Sequence, residues 1–530
     1  MPPPTTLSAH ARPQRGFAST PESSTRDGRF GRMFRTLPPL ELTEKDGAAQ
    51  LGDLADAIAT AGDDPETREQ EIINPASPNA GDDEENVAIP AGYTYLGQFI
   101  DHDITFDPVS SLQRANDPDA LHDFRTPALD LDSVYGTGPD DEPFRYNTGR
   151  FILGTALTGS PDPGTKDLPR AANGRAIIGD PRNDENVIIS QLQSTMMRFH
   201  NAVAADLGAG DVFDRAQQVV RWHYQWVVIW DFLRRICGEA VIRDILPQEN
   251  YVAAVTGKNR VASTAGVTRP RLLFYKPVDR AFMPVEFSGA AYRFGHSMVR
   301  PFYRLNQTAG PFATFSTDPK TSLTGFQPIA GNPRKGWAID WRLFFESTTT
   351  FTPTAADRRR LQPSYKIDTA IVDPLVNLPP AQFGPIPSLA LRNLLRGWRL
   401  GLPSGQAVAR AMGLVPLTAA DLQIGPDKKP ITAIAGGRFA DDTPLWVYVL
   451  AEAQQNMATK PNGVIRPNLG SGTLGPVGAR IVAETIIGLI SEDRFSFLRL
   501  EPNWTPDYGR NVGNKKVFEM RDLIAKAQEA

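Results

Sequence analysis

The sequence contains one cysteine, Cys237, among its 530 residues. A single thiol excludes a disulfide within the chain, and no pair of cysteines has the spacing of a structural zinc site. A chain of this kind can fold in a reducing compartment, where disulfides do not persist. We therefore expect a fold that is held together without covalent cross-links.

A strong charge bias is also missing. The chain has 56 basic and 60 acidic residues, a formal net charge of -4, so it lacks the basic excess typical of nucleic-acid partners, and we expect none. Hydrophobic residues make up 41% and charged residues 22%, which are the proportions of an ordinary globular protein. Length alone allows one large domain or several smaller ones.

No hydrophobic run approaches the roughly 18 residues of a membrane span, so we expect no membrane span. The N-terminal stretch lacks the apolar core of a Sec signal peptide, which predicts a cytoplasmic protein or export by a non-classical route. Residues 1–37 are rich in Pro, Ser, Thr and Arg, and we predict a disordered leader there. The polar, acidic residues 63–86 are predicted to form a surface loop.

Strand-like alternation is scarce, whereas helical periodicity is frequent. Apolar residues three or four apart predict helices over residues 187–207 and 215–236. Further helices are predicted over 443–457 and 475–490, with two short ones within 392–414. Because no repeat and no break in composition divides the chain, we predict a mainly α fold: one large helical domain over 38–530, with long loops, little β structure and a catalytic core at about 90–500.

The stretch GQFIDHDITFDP, residues 97–108, concentrates polar groups around one histidine. If it is helical, about 100° per residue places Gln98, Asp101 and His102 on one face of roughly 100°. Asp103 then lies about 140° from Gln98 and faces elsewhere. The two aspartates are therefore expected to have different functions.

Histidine is the other scarce residue, with six in the chain. His10 falls in the predicted leader and His122 follows a polar loop, so both are expected to be solvated. His200 and His223 lie in amphipathic helices, where a structural histidine is the expected interpretation. Any histidine-dependent chemistry must draw on these six residues.

His296 lies in AAYRFGHSMVRPFYRL, among small and apolar residues. Arg293 and Arg300 stand three positions before and four after it, on the same side if the segment is helical. An imidazole in this setting can ligate a metal while the arginines pair with anionic groups of a cofactor. From the spacing alone, a structural histidine remains equally open.

Four segments occur in the order GQFIDHD, LDLDSVYG, GDPRNDENVIISQLQSTMMRFHN and RFGHSMVRPF. Together they resemble the signature segments of the peroxidase-cyclooxygenase superfamily, the animal-type haem peroxidases, in a bacterial branch. The resemblance extends from about Tyr93 to the C-terminal helices. It implies a helical haem peroxidase that reduces hydrogen peroxide and oxidises small donors, namely halides, thiocyanate or phenols.

On the peroxide side of the haem, the resemblance implies three catalytic residues. His102 matches the distal histidine, Gln98 its neighbour and Arg182 the distal arginine. A neutral imidazole can take the proton of peroxide and deliver it to the leaving oxygen. A permanently charged guanidinium can stabilise the charge that develops as the O–O bond breaks.

On the opposite side, His296 matches the proximal ligand of the haem iron. The resemblance implies that Asn393 accepts the other ring proton of His296 and makes the imidazole more basic. It also implies that Arg293 and Arg396 face the haem propionates. The Asn393 segment departs most from the animal sequences.

Asp101 and Glu185 match the residues that form esters with haem methyl groups in animal members. The implied cofactor is haem b or a covalently linked derivative. Asn186 stands where myeloperoxidase has a methionine that bonds to a haem vinyl group, so no sulfonium link is expected. This departure weighs against efficient chloride oxidation and leaves bromide, iodide, thiocyanate and phenols open.

The remaining implied site is for Ca²⁺. Asp103 matches one ligand, and the others come from TPALDLDSVYG: Thr126, the Ala128 carbonyl, Asp130 and Asp132. Hard oxygen donors in a short loop suit calcium, which accepts six to eight of them. Without the family pattern, the DLD sequence is typical of a solvated loop.

Two other functions remain as alternatives. A fatty-acid dioxygenase of the same superfamily needs a tyrosine three residues before the proximal histidine, where this chain has Arg293, and Tyr292 lies one position off. A non-catalytic scaffold or adhesion protein with the same fold would be expected to lose Gln98, His102, Arg182 or His296, and all four are present. The sequence does not indicate the oligomeric state.

Overall fold

The structure is a computed structural model, and it describes the following residues: 28–60, 84–106, 122–123, 125, 127–208, 212–246, 270–278, 280–316, 318, 321–323, 334–347, 361–379, 384–455, 472–502, 504–512 and 515–530. The predictions for His10, Thr126 and most of the predicted loop 63–86 lie outside these residues, as does the prediction for the side chain of His122.

Helices dominate the described part of the chain. The α-helices are α1 Gly47–Ile58, α2 Gly92–Ile104, α3 Asp132–Tyr135, α4 Val187–Asp206, α5 Phe213–Val227, α6 Arg234–Cys237, α7 Glu239–Ile245, α8 Val285–Gly289, α9 Asp373–Val376, α10 Leu389–Arg399, α11 Gly405–Ala411, α12 Leu445–Gln455, α13 Pro476–Glu492, α14 Phe497–Leu500 and α15 Met520–Ala527. A π-helical segment, Val228–Leu233, joins α5 to α6. Short 3₁₀ turns occupy Pro143–Arg145, Pro181–Asp184, Ala291–His296, Arg334–Gly336, Trp341–Leu343, Ile431–Ala433 and Ala435–Gly437.

The strands are short and form only small sheets of two or three strands within the described residues. They are β1 Gly28–Gly31, β2 Glu85–Pro90, β3 His122–Asp123, β4 Tyr146–Asn147, β5 Arg150–Phe151, β6 Met283–Pro284, β7 Phe302–Tyr303, β8 Phe312–Ala313, β9 Pro363–Tyr365, β10 Gln423–Ile424, β11 Lys429–Pro430, β12 Arg510–Val512 and β13 Lys515–Val517. The prediction of a mainly α fold with little β structure is confirmed. The predicted helices are also present, with ends that differ by a few residues.

Helix α4 runs through the core and is buried along most of its length. Asn186 caps its N-terminus, because the side-chain oxygen accepts hydrogen bonds from the Ile188 and Ile189 amides at 3.0 and 2.8 Å. The buried amide of Gln191 is satisfied by Trp337 O and Ile339 N. Helices α2, α5 and α15 pack against α4.

The predicted leader extends too far at its C-terminal end. Residues 28–31 form strand β1, which pairs with β3 and β6. Phe30, Met33 and Phe34 are buried in the core, because apolar side chains within this polar stretch find a hydrophobic surface to cover. The prediction of disorder is therefore wrong for residues 28–37, and the rest of the predicted leader, residues 1–27, lies outside the described residues.

None of the helices in the described part of the chain has both the length and the hydropathy that a bilayer span requires.

Candidate active site

A cavity of about 480 Å³ lies between helix α2, the turn that precedes α4, the Ala291–His296 turn and helix α10. Its volume falls within the range of small-molecule and cofactor sites. Of the residues singled out from the sequence, the cavity is lined by Gln98, Asp101, Arg182, Glu185, Asn186, Arg293, His296, Asn393 and Arg396. The fold therefore brings together segments that are about 300 residues apart in the chain.

His102 lies immediately behind this wall rather than on its surface. The ring is buried, and Nδ1 lies 2.7 Å from Asn183 Oδ1. The Asn183 amide nitrogen donates to Gln193 at 2.9 Å, so its oxygen faces the imidazole and the ring proton resides on Nδ1. The Nε2 lone pair then points to the side on which the Glu185 carboxylate lies, 3.7 Å away.

Burial and the charge of Arg182 lower the pKa of His102 to about 4. The imidazole is therefore neutral near pH 7, which is the form that can accept a proton. Asn183 was not singled out from the sequence, and no local signal marks it as the partner of His102.

Arg182 is fixed at the C-terminal end of helix α2. Its Nη2 donates to the carbonyl oxygens of His102 and Thr105 at 2.9 and 2.7 Å, and its Nε and Nη2 also contact Asp180. The guanidinium lies 4.7 Å from the centre of the Phe106 ring. Although burial opposes ionisation, Arg182 and Arg125 hold the pKa of the Asp180 carboxyl well below its usual range. A permanent cation is thus held in one position beside the cavity.

Gln98 and Glu185 form a hydrogen-bonded pair at the cavity wall, in which the Gln98 amide nitrogen donates to the carboxylate. The Asn186 amide nitrogen lies 3.4 Å from the Gln98 side-chain oxygen. Asp101 accepts a hydrogen bond from Thr105 Oγ1 at 3.0 Å. Two carboxylates, Asp101 and Glu185, therefore border the same cavity.

We predict that Glu185→Gln stabilises the protein without cofactor at alkaline pH. Burial raises the pKa of Glu185 to about 7, above its value in the unfolded chain. Wild-type stability therefore declines, relative to the variant, as the pH rises from about 4.5 to about 7, and the difference between the two proteins is constant below and above this range. Because nearly a third of the side chain is exposed, we expect a gain of about 1 kcal/mol at pH 8. Urea unfolding of both proteins at pH 4 and pH 8 measures their free energies of unfolding. If the difference between the variant and the wild type is the same at both pH values, the raised pKa of Glu185 is wrong.

His296 ends the 3₁₀ turn Ala291–His296 and faces the cavity. Its Nδ1 lies 2.8 Å from the side-chain nitrogen of Asn393, which is the predicted partner. The direction of the bond is opposite to the prediction, because Arg293 Nη1 donates to the Asn393 oxygen at 3.0 Å and turns the amide nitrogen towards the imidazole. Burial and the charge of Arg293 lower the pKa of His296 to about 3, so the ring is neutral.

Arginines provide the cationic lining near His296. Arg293, Arg392 and Arg396 all border the cavity, the last two one turn apart on helix α10. Arg392 was not predicted from the sequence. Arg300 does not share this position: the 3₁₀ turn ends at His296, and the Arg300 guanidinium is buried against Glu85 and the Pro363 carbonyl at 2.8 and 3.0 Å. The expectation that Arg300 lies on the same side as His296 is wrong, because the segment is not a continuous α-helix.

Asp103 faces away from the cavity, as the helical geometry predicts. Its carboxylate is buried and accepts hydrogen bonds from Leu131 N and Ser133 Oγ at 3.2 and 3.0 Å. Carboxylate oxygens of Asp103, Asp130 and Asp132 lie within 4.8 Å of one another. Burial and the neighbouring carboxylates raise the pKa of both Asp103 and Asp130, the latter to about 7.

The carboxylate cluster suits a hard divalent cation. Asp130 follows the buried Ala128 in a loop, and Asp132 begins helix α3. Mutual repulsion among three clustered carboxyl groups is relieved when a cation binds. Helix α2 therefore connects two sites, since Asp101 borders the cavity while Asp103, two residues later, belongs to this cluster.

His200 and His223 have the structural surroundings that the sequence predicts. The His200 ring is within hydrogen-bond distance of Tyr135 Oη and Gly149 O, at 3.0 and 2.9 Å. The His223 ring bonds to Val219 O and the Asp507 amide at 2.7 and 3.1 Å. Both imidazoles are satisfied within the core and lie outside the cavity wall.

The side chains around the cavity fit a haem group. A neutral imidazole is available as an iron ligand, and cavity-lining arginines match the charge of propionates. The two carboxylates, Asp101 and Glu185, are suitable for bonds to the rim of the macrocycle. The volume and this donor set together favour a haem over a metal ion alone.

Comparisons with known proteins find similarity to haem peroxidases. The animal haem peroxidase family model matches residues 113–328, a range that includes Arg182, Glu185 and His296 but begins after Gln98 and His102. Thyroid peroxidase of Sus scrofa is 27% identical over 403 residues, which cover 70% of this chain and 38% of the relative. The chain therefore spans about two fifths of the length of this relative.

Two solved structures share the fold. Peroxidase A from Dictyostelium discoideum is similar with a TM-score of 0.50 at 16% identity, covering 91% of this chain and 92% of that protein. A fatty acid alpha-dioxygenase from Oryza sativa has a TM-score of 0.54 at 16% identity, covering 96% and 88%. At these identities the similarity concerns the fold alone.

Proposed function

We propose that this chain is a member of the animal-type haem peroxidase superfamily and that it reduces hydrogen peroxide and oxidises small donors such as halides, thiocyanate or phenols. The observation that carries the proposal is the arrangement of three side chains around one cavity. His296 is neutral and faces the cavity, His102 is neutral with its lone pair on Nε2, and Arg182 is a fixed cation.

The cofactor would be held by residues of both walls. His296 would ligate the iron, Arg293 and Arg396 would pair with the propionates, and Asp101 and Glu185 would bond to or lie beside the haem rim. When bound, haem supplies an iron centre that binds peroxide and stores its oxidising equivalents. For Nε2 of His296 to serve as the ligand, the Asn393 amide has to turn so that its oxygen accepts the Nδ1 proton.

The distal residues would transfer the proton of peroxide and stabilise the negative charge that develops on it. His102 would accept the peroxide proton at Nε2 and return it to the departing oxygen. Asn183 keeps the other ring nitrogen protonated, so the free lone pair stays on Nε2. Arg182 would stabilise the negative charge on the departing oxygen, and its contacts with Asp180 and two carbonyl groups keep it in place without reorganisation.

Glu185 modifies the site through its position 3.7 Å from His102 Nε2. A free carboxylate there can accept the proton that His102 takes from peroxide and so divert it from the departing oxygen, whereas a haem ester removes the charge. The hydrogen bond from Gln98 holds the free Glu185 side chain at the cavity wall.

Steady-state turnover with hydrogen peroxide tests the proposed function. Purified haem-loaded protein is assayed with chloride, bromide, iodide, thiocyanate and a simple phenol, and oxygen uptake with palmitic acid is measured in parallel. We expect peroxide-dependent oxidation of at least one donor class and no oxygen uptake with the fatty acid. Oxygen uptake without peroxidase turnover would favour the dioxygenase alternative, and neither activity would favour a scaffold.

We predict that replacing Asp101 with Asn together with Glu185→Gln allows complete extraction of the haem by acidic organic solvent. Both carboxylates border the cavity, and an amide forms no ester with a haem methyl group. Absorption of the extract, compared with that of the wild type, measures the linked fraction. Complete extraction from the wild type would show that no ester exists, and Thr105→Val serves as a control that keeps both carboxylates.

We also propose that Asp103, Asp130, Asp132, the Ala128 carbonyl and Thr126 bind Ca²⁺. We predict that removing the ion with EGTA lowers the thermal midpoint by several degrees, since binding at 100 times Kd stabilises a fold by about 2.7 kcal/mol. Differential scanning calorimetry of the wild type, Asp130→Asn and the exposed control Asp141→Asn measures the effect. The prediction fails if EGTA changes the thermal midpoints of all three proteins by the same amount.

A further inference from the structure

Tyr93 borders the cavity but has no role in the proposed mechanism. Its ring is buried, and its hydroxyl lies 2.9 and 2.8 Å from the two carboxylate oxygens of Asp231. The neighbouring cavity tyrosine Tyr292 instead donates to the Gly97 carbonyl at 3.1 Å. A carboxylate can accept a phenolic proton, whereas a backbone carbonyl does not retain one. Tyr93 is therefore placed to lose an electron and a proton together.

Asp231 is held in place by other donors. Arg235 Nε donates to Oδ1 at 2.7 Å, and the Met520 amide donates to Oδ2 at 2.8 Å. The Arg235 guanidinium also lies 4.6 Å from the centre of the Tyr93 ring and pairs with Glu346 at 2.7 Å. These contacts fix the carboxylate, so a proton that moves from Tyr93 has a defined destination.

Aromatic rings lead from Tyr93 towards the surface. The Tyr93 and Phe345 ring centres are 5.2 Å apart, and Phe345 and Trp341 are 5.9 Å apart. Trp341 is half-buried and, with Phe345, lines a second cavity of about 350 Å³ that does not border the first. The chain of ring contacts therefore connects the wall of the candidate active site with a separate cavity.

The contact between the Phe345 segment and helix α2 depends on Gly92. A Cβ at this position would lie 2.4 Å from the Phe345 ring and 2.5 Å from the Phe344 carbonyl. The Gly92 amide donates to that carbonyl at 2.9 Å. Only glycine allows this approach, so the ring next to Tyr93 is fixed in position by the backbone of α2.

We propose that Tyr93, Asp231 and Trp341 form an electron relay from donors too large for the cavity, an inference that rests on the peroxidase function proposed above. The peroxide-derived oxidant in the cavity takes one electron from Tyr93, whose O–H bond breaks as the proton passes to Asp231. Trp341 then supplies one electron across Phe345, and the proton returns from Asp231 to the phenol. A large phenolic donor restores Trp341 by losing one electron, and its proton goes to solvent.

The first test follows oxidation of Trp341 by peptide mass spectrometry after haem-loaded protein reacts with peroxide in the absence of a donor. We expect oxygen addition at Trp341 in the wild type and about tenfold less in Tyr93→Phe, which keeps the ring but has no proton to release. Tyr95→Phe is the matched control, because Tyr95 borders the same cavity on the same helix and contacts Tyr303 instead of a carboxylate. Equal oxidation in the wild type and Tyr93→Phe would overturn the relay.

The second test compares a free phenol with the same phenol grafted onto dextran, which cannot enter the cavity. We expect Trp341→Phe to lower turnover of the grafted phenol by about tenfold and to leave turnover of the free phenol unchanged. If the wild type oxidises the free phenol but not the grafted one, the relay is wrong while the peroxidase function stands. If it oxidises neither, the proposed function fails and the relay with it.

Discussion

Replacing His102 with alanine is expected to slow the reaction with hydrogen peroxide by about 100- to 10,000-fold while haem remains bound. His102 is the buried neutral imidazole whose free lone pair lies on Nε2, and burial together with Arg182 lowers its pKa to about 4. Without it, no described side chain beside Arg182 combines a neutral base with a fixed orientation. Stopped-flow absorption in the Soret region measures the bimolecular rate constant.

The matched control for His102→Ala is Tyr95→Phe, which changes another residue of helix α2 near the cavity without removing a base. It should react with peroxide at close to the wild-type rate. The rate constant of Asn183→Leu should lie between those of these two variants, because the imidazole then loses the partner that holds the proton on Nδ1. Wild-type kinetics for His102→Ala would remove this residue from the mechanism.

The second large effect is expected for His296→Ala. This side chain is the neutral imidazole that borders the cavity among arginines, and under the proposed function its loss would leave the iron without a protein ligand on that side. We expect haem affinity to fall by at least about 100-fold, which corresponds to about 2.8 kcal/mol. Titration of the protein with haem, followed by absorption, gives the dissociation constant.

Added imidazole provides the control for His296→Ala, because a small ligand can fill the space of the deleted ring. Partial recovery of the wild-type absorption spectrum is expected. The conservative variant Asn393→Asp should retain haem and shift the iron reduction potential to lower values, since a carboxylate makes the imidazole more basic than an amide does. Unchanged haem affinity in His296→Ala would contradict the assignment of this residue as the ligand.

Local periodicity was sufficient to predict the orientation of helix α2. An angle of about 100° per residue separates Asp101 from Asp103, and the structure places the first at the cavity and the second against Leu131 and Ser133. Helix α4 was predictable for the same reason, because its apolar stripe is long and uninterrupted.

Contacts between distant segments were not predictable from spacing. Asn183 becomes the partner of His102 only because the turn before α4 packs against α2. Helical spacing predicts the wrong position for Arg300, because the 3₁₀ turn ends at His296. The Arg300 side chain pairs with Glu85 instead. Tertiary packing determines the positions of such side chains, and the surrounding sequence does not predict them.

The family resemblance supplied what the periodicity could not. It paired His102 with Arg182 and placed Asn393 beside His296, and the structure brings both sets together. The direction of the Asn393 hydrogen bond nevertheless differs, because Arg293 occupies the amide oxygen. The direction of this hydrogen bond depends on the neighbouring Arg293 side chain, and a sequence motif does not predict it.

The absorption spectrum of purified haem-loaded protein mixed with hydrogen peroxide tests whether this chain is a haem peroxidase. A haem peroxidase with His102 and Arg182 beside the iron should show a rapid Soret shift whose rate rises linearly with peroxide concentration. Addition of a donor should return the original spectrum. If the protein binds no haem, or if its Soret band does not respond to peroxide, the proposed peroxidase function is wrong.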